Sequence, residues 1–111
     1  MNTSITYQYR DASNYKFFDT VIICGLLSLN DIEKSLYEKE FFIPSEIGLK
    51  DLQPENLCSD DHIWHEILEI SHTHEKPTVK ITVEKITSNF KKASLEEWNI
   101  LDASKRLGLF I

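Results

Sequence analysis

Hydrophobic and polar positions change their period several times along the chain. From Ser4 to Arg10, "SITYQYR" alternates Ile5, Tyr7 and Tyr9 with polar neighbours, the two-residue period of a half-buried strand. Asp11, Ala12, Ser13 and Asn14 follow, mostly short polar residues that bond their own backbone in turns. Phe17, Phe18, Val21, Ile22 and Ile23 make a more continuous apolar run from Lys16 to Cys24, broken at Gly25. That run predicts a second, better buried strand, and the pair predicts an antiparallel hairpin.

Beyond Gly25, Leu29, Ile32, Leu36 and Tyr37 fall near a 3.6-residue spacing behind Ser28, which predicts a capped helix. Phe41, Phe42 and Ile43 predict a short strand ended by Pro44, and "PSEIGLKDLQPEN" reads as a long surface connection with room for one helical turn. Residues 62 to 70, "HIWHEILEI", alternate imperfectly and predict another strand. The later run "TVKITV" has two readings: a short strand paired with 62 to 70, or the approach to a helix capped by Thr82. Val83, Ile86 and Phe90 share one helical stripe; Leu95, Trp98, Leu101 and Asp102 form a second behind Ser94, with Gly108 as its stop. The predicted class is α+β: a small antiparallel sheet, one intervening helix and two C-terminal helices. The tail Leu107, Leu109, Phe110 and Ile111 is expected to pack against the sheet or a second subunit.

A chain of 111 residues, 41% hydrophobic and 27% charged, is long enough for one core and too short for two, so a single domain over residues 1–111 is expected. Its modest stability would gain from homo-oligomer formation. The net charge of −6 weighs against a binder of nucleic-acid polymers, which draws its affinity from a basic surface. It leaves room for one pocket whose few cations hold a small anion. No apolar run approaches the ~20 residues needed to span a membrane, and no signal segment follows Met1. With Cys24 and Cys58 making no CxxC pair, a soluble protein of a reducing, intracellular compartment is expected.

All four histidines, His62, His65, His72 and His74, lie in one segment with Asp60, Asp61 and Glu66. Imidazoles and carboxylates are ordinary zinc ligands. On a strand, however, His62 and His65 face opposite sides, and "HIWHE" is not the HExxH of metalloproteases. No metal site is expected; polar residues at a strand mouth and on a loop are the simpler reading. Cys24 sits in an apolar run, Cys58 in a loop, and no glycine-flanked serine resembles a nucleophile elbow. Glycines at 25, 48 and 108 build neither a GxGxxG nor a phosphate loop. Neither enzymatic activity nor a cofactor is expected.

The hairpin "YRDASNYKFF" offers aromatic faces for a ring, Arg10 and Lys16 for phosphate oxygens, and Asp11, Ser13 and Asn14 for hydroxyls or base edges. Against this, alternating aromatics ordinarily feed a core, and an Arg beside an Asp is ordinarily a surface ion pair of small worth. Lys105 and Arg106 have the same two readings, as partners of a helix dipole or as anion ligands.

The order of "YRDASNYK", "EFFIPSEIGL" and "DDHIWHE", over roughly residues 5 to 70, resembles small phage and prophage proteins of the anti-Thoeris sponge family. Those proteins counter the Thoeris bacterial defence by sequestering its cyclic ADP-ribose isomer signal, and some also capture cyclic nucleotides of a related defence. The resemblance implies a binder without turnover, a sheet followed by two helices, and a homodimer that can assemble into a hexamer. It also implies residence in the cytoplasm of a host bacterial cell. The ligand residues it implies are Arg10, Asp11, Asn14, Tyr15 and Lys16 from the hairpin, and His62, Trp64 and His65 from the later motif. Arg106 is its implied pyrophosphate clamp, with Lys105 or Lys16 as substitutes in a chain whose arginines are Arg10 and Arg106. Two other classes compete: an acidic protein–protein inhibitor or immunity-type module, and a hydrolase of the same signal built on His62, His65 and Glu66.

Overall fold

The computed structural model describes residues 1–109; Phe110 and Ile111 of the apolar tail lie outside the described residues. Strands β1 (Asn2–Arg10) and β2 (Lys16–Cys24) form the expected hairpin, in register from Asn2 opposite Cys24 to Arg10 opposite Lys16. Its tip is closed by the residues the sequence assigned to a turn. The Asn14 amide donates to the Asp11 carbonyl (3.0 Å), and the Tyr15 amide donates to the Asp11 carboxylate (2.9 Å). Asn14 takes the left-handed conformation (φ 70°) that asparagine tolerates better than most residues.

Strands β3 (Phe41–Phe42) and β4 (His65–Thr73) complete an antiparallel sheet of order β2-β1-β4-β3. Helices α1 (Pro44–Ile47), α2 (Val83–Leu95) and α3 (Ile100–Arg106) make the class α+β, with two helices at the C-terminal end. Thr3, Ile5, Tyr7 and Tyr9 of the central strand are buried on one face, against Val21 and Ile23 of β2 and His65, Ile67 and Ile70 of β4. Phe42, Ile43 and Ile47 cap that face together with Ile86 and Phe90 from α2 and Trp98 from the turn between α2 and α3. Fully burying one such large side chain contributes about 1.5–3 kcal/mol, so the core rests on alternation in β1 and on helical spacing in α2. Among the described residues, no helix is long and apolar enough to cross a membrane.

Five local expectations are corrected. Strand β2, expected to be the better buried of the hairpin, is the exposed edge of the sheet: Val21, Ile22 and Ile23 are buried, while Phe17 and Phe18 are 43% and 58% exposed. Residues 28 to 37 form two short 3-10 turns, Leu29–Asp31 and Glu33–Ser35, rather than one helix. Ser28 does start the first turn, where its amide donates to Asp31 (2.9 Å), but Ile32 at φ −125° interrupts the helical path and Leu36 is extended. The intervening α-helix is instead α1, inside the segment read as a connection with one helical turn. Strand β4 begins at His65, three residues later than expected, and its imperfect alternation comes from a bulge. Thr6 faces Glu69 while Tyr7 faces Ile67, so Leu68 is the extra residue and the phase of the pattern shifts there.

The run "TVKITV" forms no strand partner for β4. Thr78 instead closes on β2, its amide donating to the Ile22 carbonyl (2.8 Å) and its hydroxyl accepting the Ile22 amide (2.9 Å). Thr82 is then the cap of α2, accepting from the Lys85 amide (3.3 Å), as one of the two readings had it. Gly25, at φ 105°, lets α2 approach: a Cβ there would sit 3.1 Å from that of Val83.

Ser94 caps nothing; it lies within α2, which ends at Leu95. Glu97, Trp98 and Asn99 then take three successive left-handed conformations (φ 52°, 62° and 47°) before α3. This break turns Trp98 into the core, where its indole N–H donates to the Ser35 carbonyl (3.1 Å) and its ring meets Phe90 edge to face. Leu95, Leu101 and Asp102, expected on the same stripe, are exposed. Gly108 does end α3, at φ 75°, with Gly108 donating to Lys105 and Leu109 to Ser104. Left-handed backbone costs a non-glycine residue about 1–2 kcal/mol. Glu97→Gly is therefore expected to raise the urea midpoint, by up to about 1 kcal/mol in stability once glycine's own entropy is counted. Asn99→Gly should gain less, because asparagine already tolerates the conformation.

Candidate functional site

The two segments that carry most of the predicted ligand residues are fastened to each other. The loop before β4 folds over the hairpin tip: the Ala12 amide donates to the Asp60 carbonyl (3.1 Å) and the Ser13 hydroxyl to the Asp60 carboxylate (2.5 Å). The Tyr9 hydroxyl donates to Asp61 Oδ1 (2.5 Å) and accepts the His62 amide (3.1 Å), while Asp61 Oδ2 accepts the Cys58 amide (2.8 Å). Arg10 adds an ion pair to Glu66 at 3.2 Å. Much of "DDHIWHE" is thus spent on holding "YRDAS" in place.

The protonation states follow from these bonds. His62 Nδ1 accepts the Trp64 amide (3.0 Å), so its proton sits on Nε2 and is donated to the Arg10 carbonyl (2.7 Å). His65 is fully buried; its Nε2 accepts the Leu52 amide (2.9 Å) and its Nδ1–H faces the Ile63 carbonyl (3.3 Å). Burial pushes its pKa down to about 4, against the opposing pull of Asp51 and the Ile63 carbonyl, so it is neutral at pH 7. Burial works against the charge of Asp61, but hydrogen bonds from Tyr9 and Cys58 outweigh it and hold this carboxyl below its ordinary range. Burial, reinforced by Asp61, pushes the Tyr9 hydroxyl well above its usual value.

Beside it opens a cleft of about 350 Å³ lined by Tyr37, Asp61, His62, Trp64, Ile100 and Ser104. Its wall is an aromatic pair: the Tyr37 and Trp64 rings stack with centroids 4.2 Å apart and 12° between planes. Tyr37 is positioned by a tight turn through Glu38 and Lys39, both left-handed, closed by the Phe41 amide donating to the Tyr37 carbonyl (2.9 Å). Trp64 is positioned by its own amide on His62. A second hollow of about 250 Å³ adjoins across Asp61 and Leu109 and is lined by Cys58 and Gly108.

The predicted residues divide accordingly. His62 and Trp64 line the cleft. His65 lies in the core among the rings of Tyr7, Tyr9 and Phe42. Asp11 and Asn14 shape the hairpin tip, and Tyr15 (71% exposed) and Lys16 project from it. The Arg10 guanidinium joins Glu66 on the sheet face opposite Tyr9, although its carbonyl borders the cleft through His62. Lys105 is exposed, while Arg106 is drawn to Ser45 (2.6 Å), Glu46 (3.5 Å) and Asp51 (3.9 Å), tying α3 to α1. Arg10 and Arg106 therefore do not converge within one chain. Among the described residues, no group of three or more histidine, cysteine or acidic side chains converges as a metal site would require.

Tyr37 and Ser104 were missed as cleft residues. Nothing in the local pattern marks them: Tyr37 read as the end of a helical stripe, and Ser104 comes from a helix distant in sequence. Comparison with protein-family models, curated proteins and solved structures finds no match to the chain.

Proposed function

We propose that this protein binds a small nucleotide signal of the cyclic ADP-ribose class and sequesters it without turnover, in the cytoplasm of a bacterial host cell. The observation that carries the reading is an open cleft lined by the mutually stacked Tyr37 and Trp64, aromatic side chains of the kind against which a base packs. The volume is at the small end of the range for ligand sites, suited to a base and its sugar, with phosphates outside. The phosphates are left outside the cleft, since the side chains of Arg10 and Lys16 lie on the opposite face of the hairpin. Holding is favoured over chemistry because both nitrogens of His62 are already engaged in hydrogen bonds, so this imidazole is not free to move a proton.

Equilibrium dialysis against a cyclic ADP-ribose isomer tests the assignment. Trp64→Ala is expected to weaken binding about 10- to 100-fold, the worth of one stacked base. Arg10→Ala, on the opposite sheet face, should leave affinity unchanged, with stability changed by less than about 1 kcal/mol, since the half-exposed pair with Glu66 is worth no more. Unchanged affinity in Trp64→Ala would remove the cleft from the account.

A further inference from the structure

Strand β4 is longer than the strand that covers its outer side. β3 pairs with His65 and Glu66 alone, and among the described residues no other strand or backbone hydrogen bond reaches the outer edge of residues 67 to 73. The segment "ILEISHT" has no lysine and no proline, the residues that usually blunt such an edge. Its bulge, at Leu68, leaves 69 to 73 regular. Along the edge runs an apolar hollow of about 410 Å³, with Leu27 and Leu29 on one bank and Ile67, Leu68 and Ile70 on the other; Leu29 is 45% and Leu68 47% exposed.

The rim of this hollow is acidic. Glu69 lines it, and Asp31 is tied to the opposite bank, its carboxylate accepting from the Ser28 amide (2.9 Å) and hydroxyl (3.3 Å). Glu75 follows the end of the strand, its carboxylate 3.5 Å from the Thr73 hydroxyl. All three are exposed, and among the described residues none of them has an ion-pair partner. No lysine or arginine lines the hollow.

We propose that this edge is a docking site for a partner protein, which adds to β4 an extended segment of alternating apolar and basic residues. The unmatched N–H and C=O groups of a regular edge are satisfied in full by another strand, so the docked segment is extended. The pleat sets its alternation. Ile70 and His72 share the core-side face with Ile5 and Thr3, whereas Glu69 and Ser71 share the opposite face with Thr6 and Ser4. A strand laid beside β4 therefore turns every second side chain into the hollow and the intervening ones toward Glu69. Apolar residues suit the first set, and lysine or arginine the second. A second copy of β4 does not supply them: "HEILEISHT" has no lysine or arginine, and two chains of net charge −6 repel. The hollow shares no lining residue with the aromatic cleft, so this site would stand if no nucleotide bound.

Amide nuclear magnetic resonance of the full chain, titrated at physiological ionic strength with the end-blocked peptide TVKVKVT, tests the proposal. The amides of residues 69 to 73 are expected to shift and to gain protection from hydrogen exchange. The peptide TVEVEVT, with the same apolar face, should bind about tenfold more weakly. Glu69→Lys, a change at an exposed side chain, should reverse that order while leaving the far-ultraviolet circular dichroism unchanged. Should that variant not fold, the two peptides on the natural chain still decide the matter. Unmoved amides at 69 to 73, equal binding of both peptides, or an order that Glu69→Lys leaves as it was would each overturn the proposal. Amides of 69 to 73 already protected in the chain alone, and more so as its concentration rises, would make a second copy the occupant and overturn it as well.

Discussion

Acidification from pH 7 to pH 4 is expected to remove about 3 kcal/mol of stability through His65 alone. The unfolded imidazole takes up its proton near pH 6.5, whereas the folded one, buried with Nε2 committed to the Leu52 amide, resists until about 4. Between those values the unfolded state binds more protons, so stability rises with pH across the window and falls as the solution is acidified through it. Below about 4 this contribution is constant. Asp61 then takes over: its folded carboxyl is held below the ordinary 3.8, so its contribution is present above that value and is lost as the pH falls further. Urea unfolding at several pH values measures both. His65→Gln, which keeps an acceptor for Leu52, should flatten the curve between pH 6.5 and 4; a curve parallel to the wild type would show that His65 is not its source.

Asp61→Ala is expected to cost about 1–3 kcal/mol, because it strands the part-buried Tyr9 hydroxyl and leaves the exposed Cys58 amide to water. The effect reaches function through geometry. Asp61 lines the cleft, and the loop it anchors carries His62 and Trp64, so the variant should lose affinity for a cyclic ADP-ribose isomer even under conditions where it remains folded. Tyr9→Phe removes the other end of the same bond. A double-mutant cycle should therefore be non-additive by about 1 kcal/mol or more, whereas strict additivity would mean that the pair is not coupled.

How much of this was legible in the sequence differs from segment to segment. The hairpin was readable because alternation in "SITYQYR" and the turn chemistry of Asp11 to Asn14 agree, and local physics decides both. The bulge at Leu68 was visible as faulty alternation in "HIWHEILEI", but locating it requires the β1 partner, which a linear pattern does not contain. The helix expected over residues 28 to 37 failed because Leu29, Ile32 and Leu36 kept helical spacing through a stretch whose backbone breaks at Ile32. Trp98 was read as helical and buried. Its burial is real, but it is achieved by a left-handed break that no propensity suggests.

The site was legible in part for a related reason. His62 and Trp64 stood out as chemistry-bearing residues and do line the cleft; His65, from the same motif, is drawn into the core by a one-residue change of face. Asp60 and Asp61 read as polar residues on a loop, and they are. Their work is to hold the hairpin, a long-range task that becomes visible only when residues 9 to 13 and 60 to 62 meet.

The central claim is that the protein holds a nucleotide signal without changing it. The direct measurement is to incubate the full chain with a cyclic ADP-ribose isomer, remove free ligand, denature by heat and identify what is released by mass and chromatographic retention. The account predicts recovery of the intact isomer in near-stoichiometric amount, and a sharply reduced amount from Trp64→Ala. Release of a changed product would contradict it by revealing an enzyme, and the absence of any retained ligand would contradict it by removing the binder.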